Sequence, residues 1–405
     1  MEDRVKVIWI SFNPPTMRAT KGGSGTFNYY FKSFFEDNRF DIRLVSIAHN
    51  NELLYDKLDK NAYILKIDSS LLGRIKKIAN IESVYNPWNR NANMISNQAV
   101  SFIKNSLFNI KRSGFYPDVI ILEWTQCVVL ARQIKKIFPN SKIVASEHDI
   151  SFIGYKRKYE REKNYYKKFL LNIRQKHLKK IEIMSLKSCD LVLPHNPENV
   201  NVLVNNGIDK KNVHWLVPFF QPLSECDINK KRNNDILFFG AMDRPENYLS
   251  AIWFAENVLP LIPDKKVRFI ILGSNPSDRL KEILNDRIIV TGFVESITSY
   301  FENSLCFVAP LVLGAGIKIK VLEALSSGMA VLTNSIGIEG INAKDGLEYL
   351  KCETPYDYAL CIRELLESRV DAKALGENAR ELIKKDFDVQ HSNFEYKEII
   401  YAMRR

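Results

Sequence analysis

The 405-residue chain predicts an α/β protein made of two doubly wound domains, and three observations carry that prediction. Short apolar strand candidates alternate with helical stretches through the first half, as a mostly parallel sheet with helices on both faces requires. The second half repeats the alternation. Between the halves, PFFQPLSECDINKKRNND follows neither periodicity and carries two prolines and a charged run, which places a linker at residues 218–233. The expected domains are residues 1–217 and 234–388, with a closing helical stretch at 389–405.

Taken in order, Val5 to Ile10 is an apolar strand, followed by the loop SFNPPTMRATKGGSG and a helical run from Thr26 through Phe35. Strand, glycine-rich loop and helix open an α/β domain. This is no dinucleotide fingerprint, because Gly22 and Gly23 are adjacent and the loop is too long. Further strands are expected at Ile42 to Ala48, Ala62 to Ile67, Asp118 to Trp124, Lys142 to Ser146, Asp190 to Pro194 and Val213 to Val217, with helices at Asn89 to Lys111 and Gln126 to Phe138. The second half offers strands at Asp235 to Gly240, Val267 to Gly273, Ile288 to Gly292, Leu305 to Pro310 and Ala330 to Asn334. Its helices are expected at Asn247 to Val258, Val321 to Leu325, Tyr356 to Glu367 and Val389 to Met403.

Composition narrows the function classes. Hydrophobic residues at 46% and charged residues at 26% fit a soluble globular protein. The six cysteines show no C-x-x-C spacing and several lie in apolar runs, so they read as core residues in a reducing compartment, not as a disulfide or zinc framework. The start, MEDRVKVIWIS, is acidic and then apolar, so no signal peptide is expected. No apolar run approaches the roughly 18 residues of a spanning helix. A cytoplasmic protein is expected. Its formal charge of +11 calls for an anionic partner: nucleic acid, an acidic membrane leaflet or a charged saccharide.

The stretch GAGIKIKVLEALSSGMAVLTNSIGIEG, from Gly314 to Gly340, has the order loop, helix, strand. Gly314 and Gly316 let backbone approach a ligand, the following helix N-terminus offers unpaired N–H groups, and Lys318 and Lys320 add charge. Glu323 lies among Val321, Leu322, Ala324 and Leu325, where an ionised carboxylate is costly unless paired or ligated. A carboxylate there can accept hydrogen bonds from paired hydroxyls such as those of a ribose. Diphosphate at one end and sugar hydroxyls at the other describe a nucleotide. A buried helix–strand unit with ordinary caps is the plain alternative.

This stretch resembles the nucleotide-sugar end of the GT-B glycosyltransferases, specifically the retaining group 1, or family 4, enzymes. Glu323-Ala324, Ser327-Gly328, Val331-Leu332-Thr333 and Gly337-x-x-Gly340 fit the family pattern, whereas Ala315 stands where the first of two glutamates is usual. The chain looks like a variant that reads G-x-G-x-K-x-K there. The resemblance implies two Rossmann-like domains facing across a cleft, with the last helix crossing back to the first domain. It places a donor-binding loop at Gly314, Ala315, Gly316, Ile317 and Lys318, and ribose binding at Glu323. Gly22 and Gly23 would lie near the donor phosphates, and Gly292 and Phe293, in the strand end TGFV, would contact the base. No cofactor beyond the donor substrate is implied.

Glu147-His148-Asp149 follows a strand at the edge where open α/β sheets place ligands. A lone histidine is more often structural, but in the resembled family one on this loop helps to hold the donor sugar, and His148 matches it. His195, in LPHNPENV, precedes a cap and first turn at Asn196-Pro197-Glu198 and takes a structural role. In FFGAMDRPENY the family's diphosphate-binding Arg and Lys positions are held by Ala241 and Asn247. Arg244, Lys318 and Lys320 are expected to substitute, because a departing nucleoside diphosphate needs cations or N–H dipoles. As a bland alternative, Arg244 is a surface residue in a turn.

Tyr155 to Lys187 spaces Tyr166, Phe169, Leu170, Ile173, Ile181 and Met184 as one long helix, with lysines and arginines between them. It reads as a packed helix with a solvated face, or as a basic surface resting on anionic lipid. It contains no nucleic-acid-binding motif. Asp386-Phe387-Asp388 has the D-x-D spacing of metal-dependent transferases of another fold but sits in a charged tail segment, so no metal is expected. The function implied is metal-independent transfer of a hexose from a nucleoside-diphosphate sugar, with retention, to a hydroxyl of a lipid-linked cell-envelope glycan. The chain would work at the inner membrane face, without nucleic acid. The alternatives are a nucleotide-sugar epimerase or hydrolase of the same fold, and a catalytically silent binding protein.

Overall fold

The computed structural model describes residues 4–16, 22–49, 61–67, 89–314 and 316–404. These fall into two compact units, Met1–Phe219 with Val389–Arg405 and Phe220–Asp388.

The first unit is built on strands β1 (Val5–Ser11), β2 (Phe40–His49), β3 (Ala62–Ile67), β4 (Val119–Glu123), β5 (Lys142–Glu147) and β6 (Leu191–Pro194). They form one parallel six-stranded sheet in the order β3-β2-β1-β4-β5-β6. Its helices are α1 (Gly22–Phe35), α2 (Asn97–Arg112), α3 (Trp124–Val128), α4 (Ala131–Ile137), α5 (Ser151–Arg161), α6 (Tyr165–Leu186) and α7 (Pro197–Asn205). Both sheet faces are covered, so β1 is apolar almost throughout instead of alternating. Val5, Val7 and Trp9 enter one core while Ile8 and Ile10 enter the other.

The second unit repeats the plan with β7 (Asp235–Phe239), β8 (Arg268–Leu272), β9 (Ile288–Gly292), β10 (Cys306–Ala309), β11 (Ala330–Thr333) and β12 (Leu350–Lys351), in the order β12-β11-β10-β7-β8-β9. Helices α8 (Pro245–Asn257), α9 (Thr298–Asn303), α10 (Ile319–Ser326), α11 (Pro355–Leu366) and α12 (Ala372–Asp386) flank it. A bidentate pair, Arg268 to Asp235 at 2.7 Å through each nitrogen, pins β8 to β7 at the register Asp235↔Arg268. The last helix, α13 (Val389–Ala402), belongs to the first unit, where Tyr396 packs edge-on against Trp9. Two parallel six-stranded sheets with flanking helices make the GT-B class of fold.

Several elements differ from the sequence expectation. The stretch 155–187 is two helices, not one: the chain turns at 162–164, where Asn164 caps α6 by accepting from Lys167 N. The helix expected at Asn89 to Lys111 starts only at Asn97, because Ala92 and Asn93 take positive φ. Gln126 to Phe138 breaks at Val129 and Leu130 into α3 and α4. Val213 to Val217 is no full strand; it borders β6 through a bridge at Val192↔Val213 and two hydrogen bonds, His214 N to Val192 O and Leu216 N to Pro194 O. Strand β12 and helix α12 were not foreseen.

Candidate functional site

Both sheets reverse their winding between two central strands, and such switch points leave a crevice at the strands' carboxyl ends. In the first unit the switch lies between β1 and β4, and in the second between β7 and β10. The chemistry-bearing side chains collect beside these two points.

In the first unit, β4 ends at Glu123 and passes into α3 through Trp124, whose φ is +63°. Such a conformation in a bulky residue costs free energy and is held by its surroundings. Here the indole stacks on His148, with centroids 4.7 Å apart and 20° between planes, and meets Phe27 edge-on at 5.4 Å. Glu123 is buried. Its Oε1 accepts from Trp9 Nε1 at 3.1 Å, and its Oε2 lies 2.8 Å from His148 Nε2. Burial pushes the Glu123 carboxyl up to about 7 against the opposing pull of His195, Ser146 and Trp9, and pushes His148 down to about 3. The contact is therefore a hydrogen bond of a neutral imidazole, not an ion pair.

Gly23 belongs to the same cluster. A Cβ there would stand 3.2 Å from His148 Nδ1 and 3.3 Å from Trp124 Nε1. Its neighbour Gly22 opens α1 with a φ of +62°. The structure thus brings Gly22, Gly23 and His148 together, and adds Glu123 and Trp124, which sequence reasoning had placed only in a strand. His195 is buried with both nitrogens engaged, Nδ1 donating to Leu216 O at 3.1 Å and Nε2 lying 3.2 Å from Ser146 Oγ. Its ring lies 4.4 Å from that of His148. Asn196 caps α7 with Pro197 in the first turn, as its sequence suggested.

Behind this cluster two more carboxyls are buried. Glu182, on α6, accepts from Ser151 N at 2.8 Å and Phe152 N at 3.0 Å, so it caps α5 from a different helix. Thr125 Oγ1 lies 2.9 Å from Glu147 Oε2 and 3.3 Å from Glu182 Oε1. Burial raises both acids, Glu182 to about 7, and the charge of Glu182 raises Glu147 further. Glu147 is the one kept neutral, because Glu182 has the N–H donors.

In the second unit the loop after β10 leads into α10. Lys318 stands at the N-cap position of that helix without a capping hydrogen bond and turns its ammonium back to Gly316 O and to Glu339, 3.5 Å away in the Gly337-to-Gly340 turn. Gly314, with φ +132°, passes over the Lys318 side chain, where a Cβ would meet Cε at 3.1 Å. Lys320, in the first turn of α10, donates to Asn247 Oδ1 and lies 4.9 Å from the ring of Phe238. The two partners are 73 residues apart in sequence. Asn247 is held in turn by donating to Ala241 O at 2.8 Å.

Lys320 is only part-buried, yet desolvation pulls it down to about 7 with help from Lys318 and Arg244, while Glu246 and Glu323 oppose the shift. Those same charges show which groups gather around it. Arg244 is exposed at the N-cap of α8, and Glu323 is 2% exposed on α10. Gly292 ends β9 with φ +71°, and Phe293 beside it is 77% exposed. Ile317 is partly buried in the loop. Ala315 lies outside the described residues.

Residues 233–368 match the family described as glycosyl transferases group 1. An uncharacterized 44.6 kDa protein in the cps region of Klebsiella pneumoniae is 26% identical over 188 residues, a stretch covering 43% of this chain and about half (48%) of that relative's length. Among solved structures, a sucrose-phosphate synthase from Thermosynechococcus elongatus superposes with a TM-score of 0.69 at 13% identity, covering 98% of both chains. Anabaena HepE in complex with UDP gives 0.66 at 12% identity, covering 98% of this chain and 100% of that one. These structural likenesses show the fold, and the family match falls on the unit that holds Lys320 and Glu323. The chain has the GT-B fold, and its residues 233–368 are similar to the group 1 glycosyl transferases.

Proposed function

We propose that this protein is a retaining, metal-independent hexosyltransferase that uses a nucleoside-diphosphate sugar and glycosylates a hydroxyl of a lipid-linked cell-envelope glycan. The observation that carries the reading is Lys320. The family's lysine position on the helix after β7 is held by Asn247, and Lys320 reaches that same Asn247 from α10. A cation is thus supplied from a different element to the spot where the family keeps one. With Arg244 it meets the charge of the departing diphosphate, about two to three negative charges, at the N-terminus of α10. Lys318 shapes the loop of Gly314, Gly316 and Ile317, whose backbone N–H groups take part. Glu323 receives the ribose hydroxyls, Gly292 and Phe293 the base, and His148 with Gly22 and Gly23 the sugar. Attack from the face the nucleotide leaves, assisted by its phosphate, would retain configuration, with the protein supplying position and electrostatics.

The hairpin of α5 and α6 supports docking on an anionic leaflet. Tyr165 is 89% and Tyr166 70% exposed, and Phe169 stands out beside them amid lysines. No described helix is long and apolar enough to cross a membrane. A relative named for a cps region and a structural neighbour holding UDP are consistent with an envelope glycan and a nucleotide donor. The test is a thermal-shift screen of the full chain against UDP, GDP, ADP, CMP and their sugar conjugates without added metal, since a ligand that binds only the folded state raises the melting temperature. A clear rise with one nucleoside diphosphate and its sugar is expected. No rise with any of them in folded protein would replace the enzyme reading with that of a silent binding protein.

A further inference from the structure

Nothing in the family match concerns Glu123, which lies in the first unit, outside the matched residues. We infer that Glu123 is a positioning residue that, as a carboxylate, holds His148 in the tautomer protonated on Nε2, so that a bare Nδ1 faces the Gly23 side as a hydrogen-bond acceptor. The inference rests, for its catalytic meaning, on the reading of His148 as the donor-sugar residue.

Trp9 decides which Glu123 oxygen is left for His148. An indole N–H can only donate, so Trp9 Nε1, 3.1 Å from Glu123 Oε1, fixes that oxygen as an acceptor. The other oxygen, 2.8 Å from His148 Nε2, is free to accept the imidazole proton. Stacking on Trp124 holds the ring plane, so the tautomer alone decides what the ring presents. Among the described residues Nδ1 has no hydrogen-bonding partner, and the missing side chain of Gly23 keeps its approach open. An acceptor nitrogen there is matched to a hydroxyl that donates, as a sugar's does. Glu123 also interacts with Ser146 and His195, and its charge reaches Cys127, Tyr30, Tyr396 and Glu147.

Glu123→Gln converts this into a sharp test. Trp9 can face only the amide oxygen, which turns the amide NH2 toward His148 Nε2. That nitrogen must then accept, and the proton moves to Nδ1. Full-length protein carrying 15N-labelled histidine is examined by long-range 1H–15N correlation at pH 8, above the value to which burial lifts Glu123. The expected result is His148 protonated on Nε2 in the wild type and on Nδ1 in Glu123→Gln, with turnover on the donor lowered roughly 10- to 100-fold, the range known for losing the partner that orients a metal-ligating histidine. The same tautomer in both proteins, or Nδ1–H in the wild type, overturns the inference whatever the kinetics, and the wild-type spectrum alone can do so. A swapped tautomer with turnover unchanged in both Glu123→Gln and His148→Ala upholds the positioning and removes His148 from the donor site.

Discussion

The two clusters handle charge in opposite ways. In the first unit Glu123, Glu147 and Glu182 are enclosed and meet donors supplied within the fold: Trp9 and His148 for Glu123, Thr125 for one oxygen of Glu147, whose Oε1 has no partner among the described residues, and the first N–H groups of α5 for Glu182. In the second, Lys320 and Arg244 gather at the N-terminus of α10 with the positive end of a helix, and the nearest acids only partly offset them. The first arrangement holds its acids largely within the fold and leaves His148 Nδ1 open. The second, on the proposed reading, is completed by an anion. The difference teaches that one topology can carry two kinds of cluster, one suited to fixing geometry and the other to supplying charge.

The most damaging change should fall on the charged side. Lys320→Ala removes a cation from the leaving diphosphate and should lower kcat by about 10²- to 10³-fold, the scale of losing one preorganised electrostatic group, with a smaller effect on nucleotide affinity. Steady-state kinetics beside nucleotide titration separates the two. Glu323→Ala should instead weaken nucleotide binding, and unchanged affinity would remove Glu323 from the site.

On the enclosed side, stability is the readout. Glu182→Ala leaves Ser151 N and Phe152 N without their buried acceptor and should cost about 2–6 kcal/mol, since each orphaned buried donor costs roughly 1–3. Chemical denaturation measures it, and a loss under 1 kcal/mol would show that water takes the carboxylate's place. Smaller still is a pH effect of fixed sign. Glu123, Glu147 and Glu182 all have folded pKa values raised above the unfolded one, two of them to about 7, so the folded state binds more protons. Their contribution is full below the ordinary carboxyl value near pH 4.5 and is lost as pH rises through about 7 and beyond. Melting temperature should fall across that window and fall less steeply in Glu147→Gln, which keeps the hydrogen bond to Thr125 but cannot ionise. A parallel slope in the variant would mean that Glu147 does not set it.

The contrast also explains what the sequence could and could not disclose. The winding, most strands and the loop into α10 were legible because they are local: apolar runs, glycines and lysines a few residues apart. The first-unit cluster was legible only at His148 and the glycines. Glu123 lies 25 residues from His148 and 114 from Trp9, and a strand-end glutamate looks solvent-facing until the sheet places it under an indole. Trp124 gave no sign of its positive φ, because that conformation is imposed by tertiary packing. The break at 162–164 was hidden for a related reason: no proline or glycine marks it, and α5 begins where Glu182, far along the chain, receives its N–H groups. The pairing of Lys320 with Asn247 was likewise unreadable as a contact, though the lack of a cation at Asn247 was the signal that one had to come from elsewhere.

The central claim is that Lys320 meets the donor's phosphate charge, and proton uptake on binding tests it most directly. With its pKa drawn down to about 7, Lys320 is partly neutral at neutral pH, and a bound diphosphate would recharge it. Calorimetric titration of the nucleoside diphosphate at pH 7.0, in buffers of different ionisation enthalpy, should show uptake of roughly half a proton per site, rising toward one at pH 8. In Lys320→Met the uptake should vanish while weaker binding persists. Binding without proton uptake in the wild type, or equal uptake in both proteins, would contradict the claim.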